Sequence, residues 1–424
     1  MNFEWPNSDR DLHIVMPTLI YLKKYYNINI MTFSIFNAYY YILKYRPKMI
    51  IISNYQGSNV NHEVVKLAYQ YGIKVITFIS EGNTSKNNTK EALFGVNKDN
   101  KLYVDKILLW SRRGENYFIK DFPKFQNKFC TVGGTGYDRY TLLSFYDKFY
   151  FLKKIKLKYK KIIGIAAWGF DHYFGDYFEK VKDHYIKLVG EKQIEMYRND
   201  LFKLQYIYKQ LIENNKDILF ILRYHPGTID FKKNEFYGLE NYTNVFISNI
   251  NQNNEYHISD LISSSDLWIG YETTTSLEAW LMGKQTFLIN PSGYDFVRKD
   301  IYKGSPIVQT AEEAQNLIDE YFNTKTIKKF QLLKKERKKI VADVIEYSDG
   351  QNYKRAANEI IKVYREPEKK IMYSLDIYQR AFKQNLKILL SKTIFPNRWK
   401  ELDYKSDFAR NYQDMYSDLI DDNS

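Results

Sequence analysis

The sequence is poor in the residues from which disulfide frameworks and metal sites are built. Its 424 residues include a single cysteine, Cys130, which excludes an internal disulfide framework and a zinc site made of cysteines. The six histidines form neither an HExxH nor a His-x-His pattern, so we expect no dedicated metal site. The sequence therefore predicts chemistry that uses no metal ion and no other cofactor.

Long apolar segments are also absent. No apolar run reaches the roughly 20 residues that a transmembrane helix needs. The chain begins MNFEWPNSDRDLH, which lacks the basic start and the apolar core of a signal peptide. These absences predict a cytoplasmic protein, and the inner face of the plasma membrane is the alternative location.

The net charge is strongly positive. The chain has 63 lysines and arginines but 50 acidic residues, a formal net charge of +13 that favours anionic partners. Nucleic acid, an acidic membrane surface and a phosphorylated or acidic sugar all qualify. The lysine cluster between 149 and 161 is more typical of a solvated linker, because no regularly spaced aromatic residues elsewhere support nucleic-acid readout. We expect no nucleic-acid partner.

Two series of alternating strands and helices dominate the chain. The strands are continuous apolar runs of the kind found in buried parallel sheets, and polar loops follow them. The candidate strands are 28–33, 48–53, 74–80, 106–110 and 129–132 in the first series, and 162–167, 217–223, 245–248, 267–269, 285–289 and 306–308 in the second. This alternation predicts doubly wound sheets, whose ligands bind beyond the carboxyl ends of the strands.

The chain is too long for one ordinary core. We expect an α/β protein with two facing Rossmann-like domains, 1–150 and 151–345, and a helical C-terminal extension, 346–424. The extension is predicted to form basic helices. We expect these helices to pack back across the two domains, and binding to an anionic membrane is the alternative.

The stretch from Ser263 to Pro291 contains the first candidate binding element. A strand there ends in a polar turn, and the helix that follows stops at Gly283. Hydroxyl groups cap a first helical turn, whose positive dipole end favours phosphate, and four consecutive hydroxyl residues exceed what capping requires. These residues are Thr273, Thr274, Thr275 and Ser276. Glu278 either accepts ribose hydroxyls or completes a capping box.

Two further strand ends of the second series carry polar groups. The strand that ends at Arg223 leads into a Tyr-His-Pro-Gly turn, and arginine and histidine there suit a phosphate or a developing negative charge. The strand 162–167 leads into a loop with two glycines. The residues that we expect to line a nucleotide pocket with the hydroxyl turn are Arg223, His225, Pro226, Gly227, Trp168 and Gly169.

The first series offers a carboxylate for acid–base chemistry. Glu81 follows the strand 74–80 and precedes Gly82, a residue that would let a substrate approach. A carboxylate so placed suits a general base that deprotonates a hydroxyl group, and a loop glutamate in water is the alternative interpretation. The residues predicted to bind an acceptor near it are Asn54, Gln56, Gly82 and Asn83.

Together these elements resemble the GT-B glycosyltransferases. The resemblance rests on the paired Rossmann-like halves, the His-Pro element and LEAWLMGKQTFLINP at 277–291, and it covers about residues 10–345. Gln285 stands where that family frequently has proline. The N-terminal order resembles bacterial surface-carbohydrate biosynthesis proteins, such as capsule and lipopolysaccharide enzymes, at Ser-Glu-Gly 80–82, Ile-Leu-Leu-Trp 107–110 and Val-Gly-Gly-Thr-Gly-Tyr-Asp 132–138.

The acid-Gly, His-Pro and Ser/Thr motifs are also similar to those of CMP-sialic acid and CMP-Kdo transferases. That resemblance implies Glu81 as the base, His225 and Pro226 on the cytidine phosphate, and 273–276 on the phosphate oxygens. Those transferases often have an acidic residue where this chain has Ser80.

The resulting hypothesis is an inverting, metal-independent glycosyltransferase that builds a bacterial surface glycan from a CMP-linked nonulosonate or Kdo-type donor. Glu81 and His225 would be catalytic, 1–150 would bind a glycan or lipid-linked acceptor, and 151–345 would bind the nucleotide-sugar. Four alternatives stay open. They are a CDP-glycerol-type polyol-phosphate transferase, a UDP- or GDP-sugar glycosyltransferase, a non-hydrolysing nucleotide-sugar 2-epimerase and a non-catalytic membrane-associated assembly protein.

Overall fold

The computed structural model describes residues 1–6, 9–95, 97–248, 256–295, 299–369, 375–396 and 409–422. The chain divides into two compact units, which we call unit 1 (Met1–Leu143 with Val341–Ser424) and unit 2 (Ser144–Ile340). Each unit contains one parallel six-stranded sheet with helices packed on it. The prediction of two Rossmann-like units is confirmed.

The sheet of unit 1 has the strand order β2-β1-β3-β4-β5-β6. Its strands are β1 Asn2–Glu4, β2 Thr32–Ser34, β3 Met49–Ile52, β4 Lys74–Thr77, β5 Lys106–Leu109 and β6 Phe129–Thr131. The order reverses between β1 and β3, which makes their carboxyl ends the switch point of this sheet. The strand β1 was not predicted, because three residues are too few to show a strand pattern.

The helices of unit 1 cover both faces of its sheet. The helices of its N-terminal segment, Met1–Leu143, are α1 Asp9–Tyr26, α2 Ala38–Tyr45, α3 Asn59–Gln70, α4 Thr89–Phe94, α5 Arg112–Asp121 and α6 Arg139–Leu142. One core cluster joins α2 and α3 to the sheet, and a second joins α1 to the opposite face.

The sheet of unit 2 has the strand order β12-β11-β10-β7-β8-β9. Its strands are β7 Lys161–Ala166, β8 Ile218–Arg223, β9 Val245–Ser248, β10 Leu267–Gly270, β11 Gln285–Ile289 and β12 Ile307–Val308. The three central strands β8, β7 and β10 are buried almost throughout, which explains their continuous apolar sequence. The switch point lies between β7 and β10.

The helices of unit 2 are α7 Lys148–Ile155, α8 Gly175–Val189, α9 Glu191–Asn214, α10 Ile258–Ser264, α11 Thr275–Leu281, α12 Lys299–Tyr302, α13 Ala311–Thr324 and α14 Lys328–Leu332. The lysine-rich segment predicted as a linker contains α7, whose Phe151 is fully buried in the core of unit 2. The helix α8 also escaped the sequence analysis.

The C-terminal segment returns to unit 1 through α15 Lys334–Ile345, α16 Asn352–Arg365, α17 Leu375–Ile394 and α18 Arg410–Asp422. The apolar face of α16 joins the core of α1, and the buried Lys74 donates to the carbonyl of Val363 at 2.7 Å. The contacts therefore divide the chain after Leu143 and Ile340, whereas the sequence analysis placed boundaries at 150 and 345.

Two parts of the extension lie outside the described residues, namely the start predicted for its basic helix at 372–374 and much of its end. Within the part that the structure describes, no helix combines the length and apolar character needed to cross a membrane.

Candidate functional site

The carboxyl ends of β7, β8 and β10 define what we call the strand-end site of unit 2. The strand β7 is hydrogen bonded to β8 on one side and to β10 on the other, so the outer two ends are roughly 10 Å apart. The loops after these strands begin at Ala167, Tyr224 and Tyr271. The residues predicted to line the nucleotide pocket all lie at this site. Arg223 is the last residue of β8, and the others lie in these loops or in the first turn of α11.

His225 is held by its own turn. The backbone N–H of Gly227 donates to Nδ1 of His225 at 3.1 Å, so Nδ1 is an acceptor and the neutral ring carries its proton on Nε2. The ring is exposed to solvent. His225 therefore presents an N–H donor in a fixed orientation, as an anionic ligand requires.

His172, which the sequence analysis did not select, lies beside it. Its Nε2 is 2.9 Å from the carbonyl oxygen of Gly227, and the two imidazole centres are 6.4 Å apart. A Cβ atom built on Gly169 would lie 3.8 Å from Nδ1 of His225 and 3.9 Å from Nδ1 of His172. The two rings thus flank Gly169, the third residue of the loop after β7.

Two buried carboxyl groups accept hydrogen bonds from the backbone of these loops. Asp171 accepts hydrogen bonds from the backbone N–H groups of Ile229 and Asp230, which ties the loop after β8 to the loop after β7. Glu235 is fully buried and accepts from the N–H of Trp168 at 2.6 Å. Burial raises the pKa of Glu235 to about 8, so this group is largely protonated at neutral pH.

An aromatic cluster forms the floor of the loop after β7. Trp168 is partly exposed and lies parallel to Tyr173 at 5.5 Å, with Tyr197 at 4.5 Å and Tyr271 at 5.6 Å between ring centres. Glu272 is buried next to it, 3.5 Å from the hydroxyl of Tyr197. Burial, and then the Glu272 charge, raise the pKa of Tyr197. The partly exposed ring of Trp168, supported by these buried tyrosines, can stack on a base or on a sugar.

The hydroxyl turn is more self-contained than the sequence analysis expected. Thr273 Oγ1 lies 2.8 Å from Thr275 Oγ1 and accepts from the N–H of Thr275, while the indole N–H of Trp268 donates to Thr275 at 2.7 Å. Ser276 Oγ is buried with no hydrogen-bond partner among the described residues. Thr274 makes no side-chain cap of α11 and is partly exposed. Two of the four hydroxyls therefore shape the turn.

Gly270 makes this turn possible. A Cβ atom there would lie 2.9 Å from Thr273 Cγ2 and 3.1 Å from the carbonyl oxygen of Ala166. At the far end of α11, Gly283 has a φ of 70°, the left-handed conformation that commonly ends helices. The prediction that Gly283 ends this helix is confirmed.

Three predicted site residues differ in how exposed they are. They are Arg223, Pro226 and Glu278. The guanidinium of Arg223 is buried, with Nη1 3.5 Å from the hydroxyl of Ser248 on β9. Pro226 is exposed between His225 and Gly227, and Glu278 is partly buried in the first turn of α11.

Glu81 lies in unit 1, where it forms an exposed ion pair with Arg10 at 2.9 Å. The neighbouring Gly82 is required by packing, since a Cβ atom there would lie 2.3 Å from the ring of Trp110. That ring is fixed by a 2.8 Å hydrogen bond to the carbonyl oxygen of Ile79. The structure thus gives this glycine a reason other than the approach of a substrate.

Three other residues were predicted to bind an acceptor. In the structure, their side chains form hydrogen bonds within unit 1. Asn54 Oδ1 accepts from the N–H groups of Gln56 and Gly57, both at 3.0 Å, which shapes the loop after β3. The amide of Gln56 donates to a carbonyl of α4, and Asn83 accepts from Arg113.

The sequence analysis missed a buried polar group at the switch point of unit 1. The carboxyl of Glu4 accepts from Asn2 and from both the N–H and the hydroxyl of Ser53. Burial and the nearby Asp11 raise the pKa of Glu4 well above its ordinary value. This role could not be predicted from sequence, because Glu4 belongs to the short β1. In unit 2, His172 and Asp171 could have been found in the WGFDHYFG loop.

The described residues contain no group of three or more His, Cys, Asp or Glu side chains placed to hold a metal ion.

No family model matches the sequence, and no curated protein matches it either. Solved structures do. A Listeria monocytogenes protein provisionally assigned as a UDP-N-acetylglucosamine 2-epimerase aligns 99% of its chain with 88% of this one, at 10% identity and a TM-score of 0.57. UDP-GlcNAc 2-epimerase from Neisseria meningitidis, bound to UDP-GlcNAc, aligns 98% with 85%, at 13% identity and 0.52.

A third match, the Staphylococcus aureus MnaA–UDP structure, aligns 98% of its chain with 88% of this one, at 11% identity and a TM-score of 0.52. At these identities the likeness concerns the fold. The chain has the two-domain GT-B fold, as the resemblance in sequence implied. None of these three structures is named as a CMP-sugar transferase, so that finer resemblance stays a hypothesis.

Proposed function

We propose that this chain is a nucleotide-sugar enzyme that holds the nucleotide of its substrate at the strand-end site of unit 2. The observation that carries the proposal is the orientation of the exposed His225 ring, whose Nδ1 accepts from the N–H of Gly227 and lies beside Gly169 at the carboxyl ends of neighbouring strands. Ligands of open α/β sheets bind at such ends, near the switch point. An exposed, oriented donor there suits a phosphate oxygen.

The rest of the nucleotide finds partners on the same loops. Trp168 is partly exposed on an aromatic cluster, which supports stacking of the base or the sugar. Glu278 in the first turn of α11 supports a contact with ribose hydroxyls, and Thr274 supports one with phosphate. The three solved structures that share the fold include two with UDP-GlcNAc or UDP.

Glycosyl transfer with inversion is the first candidate reaction. An acceptor hydroxyl loses its proton to Glu81 and attacks the anomeric carbon, whose bond to the nucleotide phosphate breaks. Glu81 forms a 2.9 Å ion pair with Arg10 and is exposed to solvent, where an acceptor can reach it. His225 stabilises the charge on the departing phosphate. The motif resemblance favours a CMP-linked nonulosonate or Kdo-type donor, and a glycan or lipid-linked acceptor of a bacterial surface glycan.

Nucleotide-sugar 2-epimerisation is the second candidate. A specific observation favours it, namely that the three structures described above are named as 2-epimerases or contain UDP and align over 85–88% of this chain. This reaction needs no acceptor.

One experiment separates the two candidates. The protein is incubated in D₂O with UDP-GlcNAc, CMP-sialic acid, CMP-Kdo or CDP-glycerol, first without acceptor and then with an added glycan or lipid-linked acceptor, and both reactions are followed by NMR. A 2-epimer with deuterium at C2 identifies the epimerase, because epimerisation exchanges the C2 hydrogen. Release of nucleotide that requires an added acceptor identifies the transferase, and the nucleotide released names the donor. An assembly protein without catalytic activity would do neither.

Binding is tested separately by thermal shift with CMP, CDP, UDP and GDP. Saturation of a real site raises the melting temperature with the logarithm of ligand concentration. Absence of any shift from all four nucleotides would remove the proposal.

A further inference from the structure

The helix α17 exposes an apolar face to solvent. Leu375, Phe382 and Leu389 are 74%, 68% and 61% exposed. At 3.6 residues per turn, six large side chains share an arc of about 120°. We call these six residues the α17 apolar face; they are Leu375, Tyr378, Phe382, Leu386, Leu389 and Leu390. Contiguous exposed apolar surface of this kind marks an interaction site.

The preceding helix, α16, buries its apolar face, unlike α17. In α16 the residues Tyr353, Ala356 and Ile360 are buried in the core of unit 1, so its apolar face is satisfied within the chain. The opposite side of α17 is docked instead. Ala381 is fully buried and Ile388 packs against the core that α2 and α3 share. The apolar face of α17 thus points outward from a helix that is held in place.

Basic and aromatic residues border this face. Lys383 and Lys387 are exposed and follow one edge of the arc. The helix carries four basic residues and one acidic residue, a net charge of +3. The neighbouring α2 exposes Tyr40 and Tyr45, with Lys44 between their rings at 5.4 and 5.1 Å. Lysines and tyrosines at the edge of an apolar face are typical of helices that lie in a membrane interface.

We propose that the α17 apolar face docks unit 1 onto an anionic lipid surface. The helix lies parallel to the membrane, its large apolar side chains enter the boundary between headgroups and acyl chains, and Lys383 and Lys387 contact anionic headgroups. The charge favours lipid over a second copy of this chain, because two equally basic helices repel each other. The width of the arc also exceeds the narrow stripe of a paired helix seam. This inference does not depend on the reaction at the strand-end site.

The test is flotation of the full-length protein with vesicles of phosphatidylcholine alone or of equimolar phosphatidylcholine and phosphatidylglycerol. We expect binding to the anionic vesicles that weakens with salt. The triple variant Phe382→Ser, Leu386→Ser and Leu389→Ser should bind at least ten-fold more weakly. Changing Lys383 and Lys387 to Gln should reduce binding about five-fold per lysine on anionic vesicles only.

A matched variant in unit 2 controls for loss of apolar surface. It changes three exposed apolar residues, Phe149, Phe202 and Leu332, to Ser and should bind as the parent protein does. All variants should keep the parent melting temperature, since the side chains are exposed. Equal flotation of the α17 triple variant and the control would overturn the proposal. So would a dimer, measured by light scattering without lipid, that only the α17 triple variant abolishes.

Discussion

The two sheets differ in what the polar side chains at their carboxyl ends hold. In unit 1, Glu4 bonds to Asn2 and Ser53, so the buried carboxyl joins the strand ends themselves. In unit 2, Asp171 and Glu235 bond to backbone N–H groups of the loops that carry His225 and Trp168. Related topologies thus use buried carboxyl groups in two ways. One closes the end of the sheet, and the other fixes loops that can bind a ligand.

The largest effect is expected in unit 1, at Glu81. If it is the base, Glu81→Gln should lower kcat by roughly 10²–10⁴-fold while nucleotide affinity stays unchanged. Steady-state kinetics and calorimetry measure the two quantities. Glu91→Gln, an exposed glutamate of the same unit, is the control. Near-normal turnover of the Glu81 variant would remove it from this role.

In unit 2 we expect His225→Ala to lower kcat by on the order of 10²-fold and to weaken nucleotide binding, because the oriented Nε2–H is lost. His184→Ala on the exposed side of α8 should change neither. Equal behaviour of the two variants in calorimetric titrations with CMP and UDP would contradict the assignment of His225.

The loops of unit 2 can be loosened without touching the ligand. Asp171→Ala removes the acceptor for two backbone N–H groups, and we expect nucleotide affinity to fall about ten-fold because His225 loses its fixed position. Asp230→Ala, in the same loop, provides the comparison. If the two variants bind nucleotide equally well, Asp171 does not position the site.

The last prediction concerns how the stability of unit 2 depends on pH. The folded chain holds the Glu235 proton up to about pH 8, whereas the ordinary value is 4.5, so this contribution to stability is complete below pH 4.5. It is lost as pH rises through 8. Glu235→Gln keeps an acceptor for Trp168 and cannot ionise. Its melting temperature should exceed that of the parent by roughly 10 °C at pH 9 and approach it at pH 5. A parallel shift at both values would contradict this account.

Much of the fold followed from short-range patterns. Apolar runs such as the one at Met49–Ile52 are buried strands, and the turns after them lie at strand ends, as expected for parallel sheets. Long-range pairing could not be read in the same way. The burial of Glu4 depends on the neighbour strand β3, and the return of α16 to unit 1 joins residues far apart in the chain.

The candidate site was predictable in position more than in detail. His225 was selected from a His-Pro-Gly turn, but the hydrogen bond that orients its ring appears only in three dimensions. The run of hydroxyl residues was predicted to bind phosphate. In the structure, Thr273 and Thr275 bond to each other, and Thr275 also accepts from Trp268. A polar side chain shows its type in sequence and its partner only in the folded chain.

The division of unit 1 into two segments has a consequence for synthesis on the ribosome. The face of its sheet that α1 shares with α16 lacks α16 until all of unit 2 has been translated, a delay of roughly 10–40 s at 5–20 residues per second. Unit 2 is contiguous and can complete its core first. We therefore expect the second unit in the sequence to be the first to fold, while the N-terminal half waits with an apolar surface that chaperones can bind.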